Sequence, residues 1–152
     1  MKHASKITSL EVAITKDSFS LAKLRKEKGE EFTADWVSLW LVYINQMLNL
    51  RRPMTEDMIE LCATQIADEY RLLKVSDMAL LTKRIINGEY GEFYESLSIA
   101  KVMTFFREYV DERFEHASSK SIQKHHDKMA DLDNYNITRN EKRWYQGVSK
   151  LK

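Results

Sequence analysis

The chain of 152 residues has little of what punctuates or staples a fold: one proline, four glycines and one cysteine. So few turn residues exclude a loop-rich β sandwich, which needs them at every hairpin. They suit long helices, whose interiors reject both glycine and proline. The lone Cys62 excludes an internal disulfide framework and any multi-cysteine zinc or iron–sulfur site. A long hydrophobic run is missing too. The richest stretch, Trp36 to Leu50, is interrupted by Ser38, Asn45, Gln46 and Asn49, and is too short and polar to span a bilayer. Residues Met1 to Lys6 (Met-Lys-His-Ala-Ser-Lys) do not begin a signal peptide. The expectation is a protein of a reducing cytoplasm with no membrane association.

Net charge is nearly absent, at +1, so nothing global steers the chain toward DNA or a membrane. Its layout says more. Residues 1–30 carry +3, residues 31–50 carry −2, residues 51–116 carry −4 and residues 117–152 carry +4. An acidic centre lies between two basic ends. What is abundant is apolar surface: 43% hydrophobic residues, with three Trp, seven Tyr and six Phe, enough to oppose wholesale disorder in a chain of one domain's length.

Periodicity predicts an all-α protein, a compact bundle of about five helices between residues 18 and 116. Residues 1–17 read as a mobile arm or short helix. Ser18 is placed to cap a helix from Phe19 to Lys28, with Gly29 as its stop. Thr33 then caps a helix with apolar residues on nearly all sides, which is either buried by several neighbours or partly covered by another subunit; the favoured reading is the central core element. Pro53 breaks the chain. Thr55 caps the next helix, to about Tyr70, with Met54 and Ile59 as a hydrophobic staple. Ser76 is read as the cap of a helix ending at Asn87-Gly88. Ser98 caps the last core helix, whose apolar line is Ile99, Val102, Phe106, Val110 and Phe114. Residues 117–152 form a basic, partly helical tail, with a second helix start at Thr138 suggested by Glu141 three residues on.

No constellation points to catalysis. His125 and His126 are adjacent and diverge on a helix, with no histidine four residues from either, so no metal site is read there. Neither metal nor cofactor is expected, and the chain reads as a non-enzyme. Gly88-Glu-Tyr-Gly91 lacks both the dinucleotide fingerprint and a Gly-Lys-Ser/Thr, so it reads as a structural turn, with Tyr90, Phe93 and Tyr94 pinning it to the core. Cys62 lies on an apolar face and behaves as a small hydrophobe. Glu108, Glu112 and Glu115 form an acidic helical edge, which reads as a solvated face that could dock a basic partner. Trp36 and Trp40 are the other candidate protein contacts. The strongest signal is in the tail. Lys120, Lys124 and Lys128 are spaced by four, and Arg139, Lys142 and Arg143 adjoin Trp144 and Tyr145. Cations interleaved with aromatics suit phosphate contact and base stacking on single strands; a solvated basic tail is the plainer reading.

The strings Pro53-Met54-Thr55, Ala67-Asp68-Glu69-Tyr70, Leu73-Lys74-Val75-Ser76-Asp77, Gly88-Glu89-Tyr90-Gly91-Glu92-Phe93-Tyr94 and Arg107-Glu108-Tyr109 with Glu112-Arg113 resemble a group of small uncharacterised helical proteins of bacteriophages and mobile elements. The resemblance runs from Leu21 to Ala117 and leaves the tail outside it. It brings no catalytic residue. It implies an accessory role near DNA replication, such as a helicase-loading adaptor. Added to it from the residues themselves are the basic tail as the nucleic-acid contact, the acidic edge or the Trp36–Trp40 helix as the seat of a protein partner, and a homo-oligomer as a further option. The alternative that the resemblance implies is a structural or assembly component of a phage particle, located in the virion and acting through helix–helix contacts.

Overall fold

The computed structural model describes residues 7–91 and 96–148, with side chains through residue 129 and at Asp131. The described residues form an all-α fold of six helices and no strand: α1 (Leu10–Thr15), α2 (Leu21–Lys28), α3 (Glu30–Leu48), α4 (Glu56–Glu69), α5 (Val75–Ile86) and α6 (Ile99–Val148). The chain divides into two units, Met1–Arg113 and Phe114–Lys152. Helices α1 to α5 and the opening turns of α6 build the first. The remaining turns of α6 make up the second. Thr138 opens no separate helix, because α6 runs through it.

The first unit has one core. Val37, Leu41, Cys62, Ile66, Leu73, Leu81, Ile85, Phe105, Phe106 and Tyr109 are among its buried side chains. Residues 7–16 belong to it: of the two readings, mobile arm or short helix, the structure has the short helix from Leu10 to Thr15, packed into the core. Ile7, Leu10 and Ala13 are buried, and Ser9 caps α1 by accepting from the Val12 amide. The C-terminal carbonyls of α1, which a short helix leaves without partners, are taken up by residues far along the chain. Lys74 Nζ donates to the Ile14 and Lys16 carbonyls at 2.9 and 3.2 Å, and Ser76 Oγ donates to the Ala13 carbonyl at 2.8 Å. That role explains a correction. Ser76 does not cap α5; Lys74 holds the N-cap position and Ser76 is the helix's second residue, buried.

Two other helix starts also shift. Ser20, not Ser18, caps α2, while the Ser18 hydroxyl meets that of Ser76 at 2.7 Å. Gly29 ends α2 as expected, donating to the Arg25 carbonyl, but its φ of +97° also turns the chain directly into α3. A side chain there would be strained. α3 therefore begins at Glu30, and Thr33 is a buried residue of its first turn that donates to the Gly29 carbonyl at 2.8 Å. The expected devices elsewhere are present. Thr55 caps α4, Met54 and Ile59 are buried as a staple, Ser98 accepts from the Lys101 amide, and Leu97 and Val102 are buried beside it. Between α3 and α4, the Asn45 side chain accepts from the Met54 amide at 2.9 Å and donates to the Met54 carbonyl at 3.0 Å, which fixes the Pro53 connection.

Candidate functional site

The residues singled out in the sequence fall at four places. The first is the outer side of α3. This helix buries Thr33, Val37, Leu41 and Ile44. It is not apolar all round because it is enclosed, as the pattern suggested: a second apolar side is open. Phe32, Leu39 and Met47 are 47%, 67% and 51% exposed, and Trp36, Trp40 and Tyr43 beside them are half-buried. The Trp36 and Trp40 rings meet edge-on, 5.7 Å between centroids. A tryptophan- and tyrosine-rich surface of this kind has the composition of protein-binding hot spots. Phe32 was missed because a helix started at Thr33 leaves it outside; starting at Glu30 brings it onto this side.

The second place is a trough between α3 and α4. Glu30, Glu31, Asp35, Glu60 and Asp68 line a hollow of about 300 Å³ with Arg25 as its one base. It continues into another of about 400 Å³ at Asp35, Val42, Glu56 and Glu60. The Arg25 guanidinium, hydrogen-bonded to Asp68, holds that carboxyl below its usual range. The trough is acidic, and its chemistry is that of a seat for cationic side chains.

The third place is the seam between α5 and the first turns of α6, where the acidic edge was expected. Glu112 is exposed, as expected of a solvated edge, but it is not unpartnered. It clasps Arg84 with both oxygens, Arg84 Nη2 donating to Oε1 at 3.2 Å, and Arg84 also pairs with Glu89 at 3.3 Å. This clasp pushes the Arg84 pKa further up. Glu108 and Glu115 are exposed as expected. Deeper in the seam Asp77 is fully buried. It accepts from the Lys74 amide at 2.8 Å, from the Tyr109 hydroxyl at 2.8 Å and from Arg113 Nε at 3.3 Å. Asp77 stands in the first turn of α5, and sequence reasoning missed this network. The turn after α5 has Gly88 and Gly91 at φ +77° and +99°, and Tyr90 stacks on Phe105 at 5.4 Å between centroids. Phe93 and Tyr94 lie outside the described residues.

These buried groups set a pH dependence. Burial and the Asp77 carboxylate push the Tyr109 hydroxyl well above its usual pKa. Burial also raises Tyr70 and Tyr90, the latter against the pull of the Arg84 guanidinium, and takes the Cys62 thiol from 9.0 to about 11. The folded chain holds these protons longer than the unfolded chain. The contribution of these four groups is therefore complete below about pH 9 and falls as pH rises, because the unfolded state releases its protons first. A urea-unfolding series from pH 7 to pH 11 should show the midpoint dropping above about pH 9; a flat profile contradicts the buried arrangement.

The fourth place is α6 beyond Arg113. Every described side chain from 121 to 129 is exposed, Lys124 and Lys128 among them, and Lys120 precedes them by one turn on the same side. Arg139, Lys142, Arg143, Trp144 and Tyr145 are on the helical backbone, but their side chains lie outside the described residues. Phe114, expected to close the core line of α6, is 51% exposed.

Among the described residues no group of three or more His, Cys, Asp or Glu gathers to hold a metal ion, and no helix is long and apolar enough to cross a membrane. No family model, curated protein or solved structure matches the chain.

Proposed function

We propose that this chain is a non-enzymatic adaptor in a DNA transaction of a bacteriophage or mobile element, of the helicase-loading kind, acting in the host cytoplasm. It holds nucleic acid on the basic helix and a protein partner on the body. The observation that carries the reading is the row Lys120, Lys124 and Lys128 on a helix whose described side chains from 121 onward stand exposed. Lysines one turn apart match the repeated charge of a nucleic-acid backbone. The acidic trough between α3 and α4 offers the complementary charge for a basic partner segment.

Fluorescence anisotropy with a labelled single-stranded oligonucleotide tests the nucleic-acid half. Binding is expected at low salt and weakens steeply as salt rises. Replacing Lys120, Lys124 and Lys128 together by Gln should reduce the slope of log affinity against log salt by about 2, at roughly 0.7 per phosphate contact on a single strand. No binding at low salt, or a variant with an unchanged slope, overturns the reading.

The second reading is an assembly component of a phage particle. Phe114, Ile122 and Met129, at 51%, 59% and 49% exposure on the same helix, support it by offering apolar surface for helix–helix contact. A large closed oligomer in light scattering, with no DNA affinity, favours it.

A further inference from the structure

The unbroken course of α6 decides which residues of the second unit share a side. A fresh helix at Thr138 would have made the register beyond it independent of the lysine row. One helix from Ile99 to Val148 carries the register through. At about 100° per residue, and measured from Lys128, Phe114 falls at about +40°, Lys124 and Lys142 at about −40°, Tyr135 at about −20° and Arg139 at about +20°. These six positions occupy an arc of about 80°. Along the axis they alternate in kind: Phe114, then Lys124 and Lys128, then Tyr135, then Arg139 and Lys142. All six belong to the second unit.

The arc takes four of the six Lys and Arg between residues 114 and 148 and none of the five acids there. Asp131 comes nearest, about 20° outside it. Trp144 falls at about 160°, on the opposite side, and Tyr145 lies about 60° beyond the edge of the arc. The aromatics that adjoin Arg143 in sequence are therefore not those that share a side with the lysine row. Phe114 is 51% exposed, so burial in the core does not account for its ring. Cations match phosphates, and a bare ring matches the face of an unstacked base. Their alternation along one line is the pattern of a single-strand track. The bases of a duplex are already stacked, so the rings would add nothing to its binding.

We propose that this side of α6 is a track for single-stranded nucleic acid, about 42 Å from Phe114 to Lys142 at 1.5 Å per residue, with Phe114 and Tyr135 as its base-stacking residues in place of Trp144. The proposal rests on the reading that the basic helix holds nucleic acid. It adds the strandedness of the ligand and the residues that meet its bases.

Anisotropy titrations of the full chain compare a labelled single-stranded DNA with an abasic strand of equal length and charge. The wild type is expected to bind the base-bearing strand more tightly by at least about fivefold, the lower bound for stacking one base on a ring. Phe114→Ala and Tyr135→Ala should each reduce that affinity at least about fivefold, while the abasic affinity and the salt slope stay as they were. Phe114→Tyr and Tyr135→Phe, which keep a ring, should bind as the wild type does, and so should Trp144→Ala. Alanine is the best helix former and Phe114 is 51% exposed, so circular dichroism should show undiminished helix in both alanine variants. The two readings fail separately. No binding of either strand at low salt overturns nucleic-acid binding itself, and the track with it. Equal affinity for the two strands, either alanine variant binding the base-bearing strand as the wild type does, or a loss on Trp144→Ala in their place overturns the track alone.

Discussion

Replacing Asp77 by Ala is expected to destabilise the chain by about 3–5 kcal/mol, the range for removing one partner of a buried ion pair. The reason is the number of groups left behind. The Asp77 carboxylate is fully buried and receives three donors, two from α6 and one from the N-cap of its own helix. Alanine would leave the Arg113 guanidinium, whose side chain is 16% exposed, without its counter-charge. It would leave the buried Tyr109 hydroxyl without an acceptor and the Lys74 amide without its N-terminal partner. An unmade buried hydrogen bond costs about 1–3 kcal/mol on its own. Asp77→Asn keeps the shape and part of the hydrogen bonding, so a smaller loss is expected. Urea unfolding of the two variants beside the wild type checks both statements. A loss under about 1 kcal/mol for Asp77→Ala would mean that the seam is not closed by this network.

Phe106→Ala is expected to cost about 3–5 kcal/mol, while Phe114→Ala, two turns further along α6, should cost under about 0.5 kcal/mol. The two phenylalanines lie on the same apolar line in the sequence. Phe106 is 1% exposed and its ring lies 5.4 Å from that of Tyr70, at the end of α4, so its removal leaves a cavity between helices that cannot close without moving both. Phe114 is 51% exposed and opens the second unit, so little is uncovered. Chemical unfolding of the isolated variants, at concentrations low enough to keep self-association out of the comparison, measures the difference. Equal costs would show that the core extends past Arg113.

These two phenylalanines also show how far the sequence could be read. Spacing finds the line Val102, Phe106, Val110 and Phe114 but cannot say where the body of the protein runs out beneath it. Contact decides that, and the buried set turns instead through Phe105, Phe106 and Tyr109. The helix starts show the same limit. Ser18, Thr33 and Ser76 are good caps by residue type, yet each has a different use. Ser18 and Ser76 join α1 to α5, and Thr33 bonds back to Gly29 inside its own helix. A hydroxyl that can cap can equally satisfy a backbone carbonyl from 63 residues away, and local sequence does not distinguish the two. Thr55 and Ser98 cap as read, accepting from the Met58 and Lys101 amides. Glu112 reads as one acid among several on an exposed edge; only the approach of Arg84 from α5 turns it into a clasp.

The sequence by itself determined the class. With one proline, four glycines and apolar residues at helical spacing, the chain had few options besides helices joined by short connections. It also located the connections, at Gly29, Pro53 and Gly88, and the lysine row at 120, 124 and 128, since these depend on residue type and local spacing. Tertiary structure alone decided which side of each helix is covered. Burial depends on neighbours far along the chain, so only the packed body could show that Leu10 and Ala13 are inside, that Asp77 is a buried hub, and that Phe32, Leu39 and Met47 on α3 are left exposed.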